Sequence, residues 1–196
     1  MKFFILNIIL LTGLCARSQE IEIEFKAEPT AFEVTKFRFY ISNIILNDSI
    51  VPSQAHAYLI EPKNKKTLRV SIPKDVNIKS IKFLVGTDST LNTAGILEGD
   101  LDPIKGMYWA WNTGYINLKL EGKNGEEHFE YHVGGYMSPF ATVREFQTEI
   151  NTNKLTFGID LDTFLKEANQ LETSIMIPGE NASKLADEFL KAIYLD

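Results

Sequence analysis

Apolar and polar residues alternate along several short segments of this chain, and this two-residue period constrains the fold more than any other feature. Residues 21–25 read Ile-Glu-Ile-Glu-Phe, and along 115–121 the apolar residues Ile116, Leu118 and Leu120 share one face. Successive side chains of a β-strand point to opposite faces, so this period predicts strands with one face in a core.

The predicted strands are 21–25, 36–46, 57–60, 68–72, 78–85, 115–121, 128–133, 142–150 and 154–159. Short polar turns separate them, and the segments 115–121 and 128–133 are predicted to form a hairpin, as are 142–150 and 154–159. Two helices are expected near the end, at 162–169 and 181–193. Because strands dominate and strand–helix alternation is absent, the predicted fold class is mostly β. It is an antiparallel β-sandwich with a long functional loop and a short C-terminal helix.

The first 18 residues have the layout of a cleavable secretory signal. Lys2 supplies the positive start, 3–14 is mostly apolar, and small residues at Ala16 and Ser18 precede a cut before Gln19. The apolar run is about twelve residues long, shorter than the roughly 20 that a membrane-spanning helix needs. We therefore predict a signal peptide at 1–18 and one domain at 19–196, exported to the periplasm or the cell surface and without a membrane span.

The single cysteine of the chain, Cys15, lies inside this signal. Lipidation of Cys15 is an alternative, which the preceding Leu14 disfavours. After cleavage the chain has no disulfide, no thiol nucleophile and no sulfur ligand from cysteine. Loss of Lys2 and Arg17 reduces the 20 basic residues to 18 against 26 acidic residues, so the net charge falls from −6 to about −8.

An acidic chain is a poor partner for nucleic acid or anionic lipid. The familiar catalytic signatures, G-x-S-x-G, H-E-x-x-H and the P-loop, are absent from the sequence. We therefore predict a protein that is not an enzyme and has no catalytic residues.

Residues 86–114 form a long segment without periodicity. They contain Met107, Tyr108 and both tryptophans, Trp109 and Trp111, which are too apolar to leave in water. A loop of this length in a domain is commonly functional. The alternative is that the segment caps one end of the sandwich and that its aromatic side chains fill the core.

The same segment contains four side chains with oxygen donors, Asp88, Asn92, Asp100 and Asp102. Clustered oxygen ligands suit a hard cation such as calcium, although the spacing does not match an EF-hand. The alternative is that these side chains form Asx turns and cap backbone amides of the loop.

The three histidines are His56, His128 and His132. His128 and His132 lie on the outer face of one predicted strand, but four residues along a strand span about 13 Å, so they would not readily share one ion. His132 is the better candidate ligand, because Gly134-Gly135 follows it and allows close approach of backbone or ligand.

Six motifs resemble the MbnP family of exported copper-binding proteins. They are Phe39-Tyr40-Ile41-Ser42-Asn43-Ile44, Gly86-Thr87-Asp88-Ser89, Gly99-Asp100-Leu101-Asp102-Pro103, Gly106-Met107-Tyr108-Trp109-Ala110-Trp111, Gly114-Tyr115-Ile116-Asn117 and Tyr131-His132-Val133-Gly134-Gly135. The resemblance extends from about residue 21 to the final helix, and the D-L-D-P…G-M-Y-W-x-W…G-Y block is long and specific.

The resemblance implies a copper ion held by histidines and a tryptophan oxidised to kynurenine, with the oxidation done by a partner di-haem enzyme of the peroxidase type. It implies that Trp109 or Trp111 is the modified residue and that His132 is a ligand. The Met107 thioether would favour Cu(I). His56 is the remaining candidate for a second imidazole, at a position where an ordinary strand residue is expected.

The competing interpretation is a non-catalytic extracytoplasmic binding or scaffold module without copper, for which calcium is the candidate stabilising ion. In that interpretation the aromatic loop is a capping part of the core and His132 binds nothing.

Overall fold

The computed structural model describes residues 18–49, 57–64, 68–73, 76–111, 114–150 and 155–196. The strands among them are β1 Ser18–Ala27, β2 Glu33–Leu46, β3 Ala57–Ile60, β4 Leu68–Pro73, β5 Ser80–Val85, β6 Tyr108–Trp109, β7 Gly114–Asn124, β8 Glu127–Gly134, β9 Arg144–Glu149, β10 Leu155–Ile159, β11 Ser174–Ile175 and β12 Ile193–Leu195. The α-helices are α1 Ser89–Thr93, α2 Leu161–Leu171 and α3 Glu180–Ala192, and 3-10 turns cover Pro62–Asn64, Gly99–Leu101 and Pro103–Lys105. The predicted signal peptide lies outside the described residues, except for Ser18.

The strands form two sheets. The smaller has the order β12-β10-β1-β4, and the larger has the order β11-β8-β7-β2-β5-β9, with β3 added on β2 and β6 on β7. The mostly β, sandwich-like fold is thus confirmed, and so is the hairpin of β7 and β8. The sheets are mixed rather than purely antiparallel, because β1 pairs with β10 and β8 with β11 in parallel.

The predicted hairpin of 142–150 and 154–159 is wrong. β9 pairs with β5 in the larger sheet, whereas β10 pairs with β1 and β12 in the smaller one. Both segments have the alternation of strands, but this period does not determine which strand lies beside each of them in a sheet, and β9 and β10 belong to different sheets.

The main core lies between the two sheets and is closed by α2 and α3. Its centre is a set of phenylalanines from both sheets, in which Phe25 contacts Phe39, Phe83 and Phe157 at ring-centroid distances of 5.2–5.8 Å. Burial of each such side chain contributes about 1.5–3 kcal/mol. Phe189 of α3 packs edge-on against Phe39, so the C-terminal helix is part of this core.

A second apolar cluster lies on the opposite face of the larger sheet. Along β2, Phe39 and Ile41 face the main core, while Tyr40 between them belongs to the second cluster. Its other buried members are Ala57, Leu59, Leu91, Leu101, Met107, Trp109, Tyr115 and Ile116. The described residues of the aperiodic segment, 86–111 and 114, therefore cover the outer face of the sheet with α1, the two 3-10 turns at 99–101 and 103–105, and β6.

The alternation predicts that Ile116, Leu118 and Leu120 share one face, but in the structure Ile116 lies on the opposite face from the other two. The pairing register of β7 with β8 shifts between Ile116 and Leu118, and this irregularity moves Ile116 into the second cluster. Among the described residues, no helix is long and apolar enough to cross a membrane.

Candidate functional site

His132 lies on the outer face of β8, between the core residues Tyr131 and Val133. It pairs with Lys119 of β7 and is only 8% exposed. Its Nε2 lies 2.9 Å from Oε1 of Glu121, one outward position further along β7. A histidine expected on a solvated sheet face is therefore nearly buried and paired with a carboxylate.

The charges around Glu121 define the protonation of this pair. Burial raises the pKa of Glu121, but hydrogen bonds from Lys36 and His132 outweigh it and leave the pKa lowered. An ionised carboxylate only accepts, so Nε2 of His132 donates and Nδ1 keeps its lone pair. Burial also lowers the pKa of His132, since it disfavours the imidazolium more than Glu121 stabilises it. The neutral imidazole with a carboxylate behind it is the form in which histidines ligate metals.

Two cations of the same sheet face bind the loop that precedes the tryptophans. Lys119 Nζ donates to the carbonyl oxygen of Gly106 over 3.1 Å, and Arg38 Nη1 donates to that of Lys105 over 2.8 Å. Arg38 also forms an ion pair with Glu61. These bonds hold the turn at 105–106 on the sheet and so fix where the following residues begin.

Trp109 packs against β8 close to His132. A Cβ at Gly134 would lie 2.8 Å from Cζ3 of the Trp109 indole, so only glycine leaves room for the ring. Gly134 comes two residues after His132, on the same face of the strand. The indole therefore covers the sheet beside the histidine and is 6% exposed.

Trp111 is the solvent-facing member of a tryptophan pair. Its side chain is 64% exposed, and its ring centroid is 5.5 Å from that of Trp109. The two rings therefore extend from the solvent-exposed surface, at Trp111, to the buried indole of Trp109.

Met107 is fully buried in the second cluster. Its backbone oxygen accepts from the amide of Ile116, so the segment before β6 is hydrogen-bonded to the sheet. Packing in this cluster accounts for the burial of the thioether.

The oxygen donors predicted for calcium have separate local partners. Asp88 caps α1, where its Oδ1 accepts from the amide of Leu91 over 2.9 Å. The Asn92 amide group donates to Thr87 and Asp88, and its Oδ1 accepts from the amide of Tyr115 over 2.8 Å. These bonds tie α1 to the start of β7.

Asp100 and Asp102 bind backbone amides in the same way. Asp100 Oδ2 accepts from Leu59 and Asp102 Oδ1 from Ile104. Within the described part of the chain, no three side chains of the types His, Cys, Asp and Glu lie together as a metal group. The structure therefore does not bring the four predicted calcium ligands together, and their hydrogen bonds match the capping alternative.

His56 lies outside the described residues. His128 is exposed and pairs with Lys123 near the turn of the hairpin, so the strand separates it from His132 by about 13 Å. Of the two described histidines, His132 is thus the one that is paired with a carboxylate and lies close in the strand to the position where Trp109 packs.

The family model for MbnP matches residues 14–182 of the sequence. The chain belongs to the MbnP family. The matched region includes the larger sheet, the strands β1, β4 and β10 of the smaller sheet, and the whole of the second cluster. The comparison with curated proteins finds no match.

The solved structure of MbnP from Methylosinus trichosporium is similar to this MbnP-family chain, with a TM-score of 0.54 and 14% sequence identity. The match covers 76% of this chain and 78% of the other. At that identity the likeness concerns the fold.

Sequence reasoning did not identify Glu121 and Lys119 as neighbours of His132 in this MbnP-family protein. The hairpin signal was sufficient to find them, because antiparallel pairing across the turn brings outward residues of 115–121 opposite outward residues of 128–133. The hydrogen bond from Arg38 to the carbonyl oxygen of Lys105 had no local sequence signal, since β2 and the 3-10 turn at 103–105 are distant in sequence.

Proposed function

We propose that this MbnP-family protein is exported to the periplasm or the cell surface and binds copper there. The observation that carries the proposal is the His132 imidazole, which is hydrogen-bonded to Glu121 and lies two residues before Gly134, the position against which Trp109 packs. Membership of the family gives the proposal its metal, because the family's motifs include His132 and both tryptophans. The protein acts as a copper carrier or store, not as an enzyme.

The donor set fits copper in part. Nδ1 of His132 is an imidazole donor, which suits both oxidation states, and a thioether favours Cu(I). His56 and Met107 are the further candidate ligands from the sequence. When bound, copper would supply an electron-pair acceptor with two accessible oxidation states. Glu121 fixes the ring of His132. The hydrogen bonds from Arg38 and Lys119 to the loop keep the indoles against the sheet. Calcium at Asp88, Asn92, Asp100 and Asp102 is the weaker proposal, since those side chains are engaged with backbone amides.

We also propose that Trp109 or Trp111 is converted to kynurenine by a di-haem enzyme of the peroxidase type. Two equivalents of a peroxide are the oxidant: each gives one oxygen atom and leaves as water or an alcohol, the double bond between C2 and C3 of the pyrrole ring is broken to give N-formylkynurenine, and hydrolysis then releases C2 as formate. The aniline nitrogen that remains is a donor that indole lacks. Trp111 is exposed and its ring contacts that of Trp109, which supports access of the partner enzyme to this pair from the protein surface.

The test titrates the mature chain with Cu(I) and Cu(II), produced with and without the partner enzyme, and measures the kynurenine mass at both tryptophans. His132→Asn is expected to weaken copper binding by at least about tenfold, the scale on which even an outer-shell change weakens metal sites. His128→Asn is the matched control, because His128 is exposed on the same strand, and it should bind as the wild type does. Absence of binding tighter than micromolar in all forms contradicts the proposal.

The second candidate is a scaffold module without copper. It is favoured by the complete burial of Met107 in an apolar cluster and by the Glu121 pairing of His132, which account for both residues without a metal. In that case His132→Asn changes the stability of the fold but no ligand affinity.

A further inference from the structure

Met176 follows β11, the short strand that runs beside β8. The pairing is parallel, and Ile175 is level with Tyr131. Met176 is the first residue after β11, and continuing this register by one residue places it level with His132. Neighbouring strands lie about 4.8 Å apart, so these two residues are separated by roughly the width of one strand.

Met176 lies on the same face of the sheet as His132. Ile175 and Tyr131 are both buried in the main core, 3% and 0% exposed. Adjacent residues of a strand face opposite sides, and so Met176 and His132 both lie on the outer face. The Met176 side chain is 39% exposed, which leaves its sulfur accessible to a metal.

The chain stays beside β8 after this point. A Cβ built at Gly135 would lie 3.0 Å from Cβ of Pro178. Met176 is therefore held between two contacts with the same stretch of chain, the pairing of Ile175 with Tyr131 and the contact of Pro178 with Gly135.

We propose that the thioether sulfur of Met176 and Nδ1 of His132 form a pair of ligands for Cu(I). The inference rests on the proposed function and names the sulfur donor of the same site. Nε2 of His132 is engaged with Glu121, so Nδ1 is the nitrogen left for a metal, and a thioether is a soft donor that selects Cu(I) over Cu(II). Met176 replaces Met107 as the sulfur ligand, because Met107 is sealed within the second cluster.

A cavity of about 200 Å³ lies next to the contact of Gly135 with Pro178. It is lined by Gly135, Tyr136, Met137, Ser138, Phe140 and Pro178. Met137 is 67% exposed and carries the same thioether at the same end of the molecule, but no strand pairing sets it beside His132. It is therefore the matched control for Met176.

The test loads the full mature chain anaerobically with Cu(I) and compares Met176→Leu with Met137→Leu and Met107→Leu. Leucine conserves volume, so the fold is retained, and thermal unfolding of the metal-free variants checks it. Met176→Leu is expected to weaken Cu(I) binding by at least about tenfold and to remove sulfur from the copper shell in X-ray absorption. Its Cu(II) affinity should stay within about twofold of the wild type, because Cu(II) gains little from a thioether.

Two results separate this inference from the proposed function. If the wild type binds neither Cu(I) nor Cu(II), both are overturned. If the wild type binds Cu(I) and Met176→Leu keeps the affinity and the sulfur signal, the Met176 assignment is overturned and the proposed function stands. Loss of the sulfur signal in Met107→Leu or Met137→Leu instead also overturns the assignment.

Discussion

A single carboxylate organises the charges on the outer face of β7 and β8. Glu121 accepts from Lys36 over 2.8 Å and from His132 over 2.9 Å, and Lys119 lies 3.7 Å away. Burial lowers the pKa of Lys119, although Glu121 beside it opposes this shift. Glu121 is thus the anion that holds two lysines and one imidazole in place at a half-buried position.

The first prediction at this scale concerns Glu121→Gln. The substitution keeps the shape but removes the charge that orients and polarises His132, and loss of such an outer-shell partner typically costs about 10- to 100-fold in metal affinity. We expect a loss of copper affinity in that range by competition titration. Glu130→Gln is the control, since Glu130 is exposed on the same strand face; an equal loss there would point to overall charge rather than to this hydrogen bond.

The second prediction concerns the pH dependence of the metal-free protein. Burial lowers the pKa of His132 in the folded state from its ordinary 6.5. The imidazole is therefore protonated more readily in the unfolded chain than in the folded chain. The free energy of unfolding therefore rises with pH through this range and falls on acidification below about 6.5. Denaturant unfolding between pH 5 and 8 should show a smaller slope for His132→Asn than for the wild type.

At the scale of elements, the loop that carries the tryptophans is attached to the larger sheet along its length. Tyr40 OH donates to the carbonyl oxygen of Asp100 over 2.8 Å, Lys119 binds the turn at 105–106, and the amide of Ile116 binds Met107. Aromatic burial and these bonds together make a loop without periodicity into an ordered layer of the protein.

Gly134→Ala tests the contact between this layer and the sheet. The new Cβ would lie 2.6 Å from the Tyr115 carbonyl oxygen and 2.8 Å from the Trp109 ring. We expect about 1–3 kcal/mol of destabilisation from overpacking, measured by denaturant unfolding, with a shift in tryptophan fluorescence as the indole moves. Gly179→Ala is the control, because nothing lies within 4 Å of its added carbon; an equal loss of stability there would exclude the contact as the cause.

At the scale of the whole molecule, the larger sheet is covered on both faces. One face packs on the smaller sheet and on α3, and the other lies beneath the described residues 86–111. The main core stabilises the sandwich, and the second cluster fixes the loop. Trp109 belongs to this second cluster, and His132 lies on the same outer face of the larger sheet.

The sequence predicts contacts between neighbouring segments better than it predicts contacts between segments that are distant in the chain. The alternation in 21–25 and 36–46 correctly predicts strands, and the turn before β8 correctly predicts the hairpin that brings Lys119 opposite His132. The partner strand of β10 was not predictable in this way, because register between distant strands is set by burial across the core and not by a turn.

Several features follow from the sequence alone. They are the mostly β class, the family motifs, the absence of a cysteine after residue 15 and the outward position of His132, each of which depends on residue type or a period within a few neighbours. The tertiary structure alone decided the separation of β9 from β10, the second cluster under the loop and the register that brings Ile175 level with Tyr131. These depend on contacts between residues far apart in the chain, which form only where their burial outweighs the entropy of closing the intervening loop.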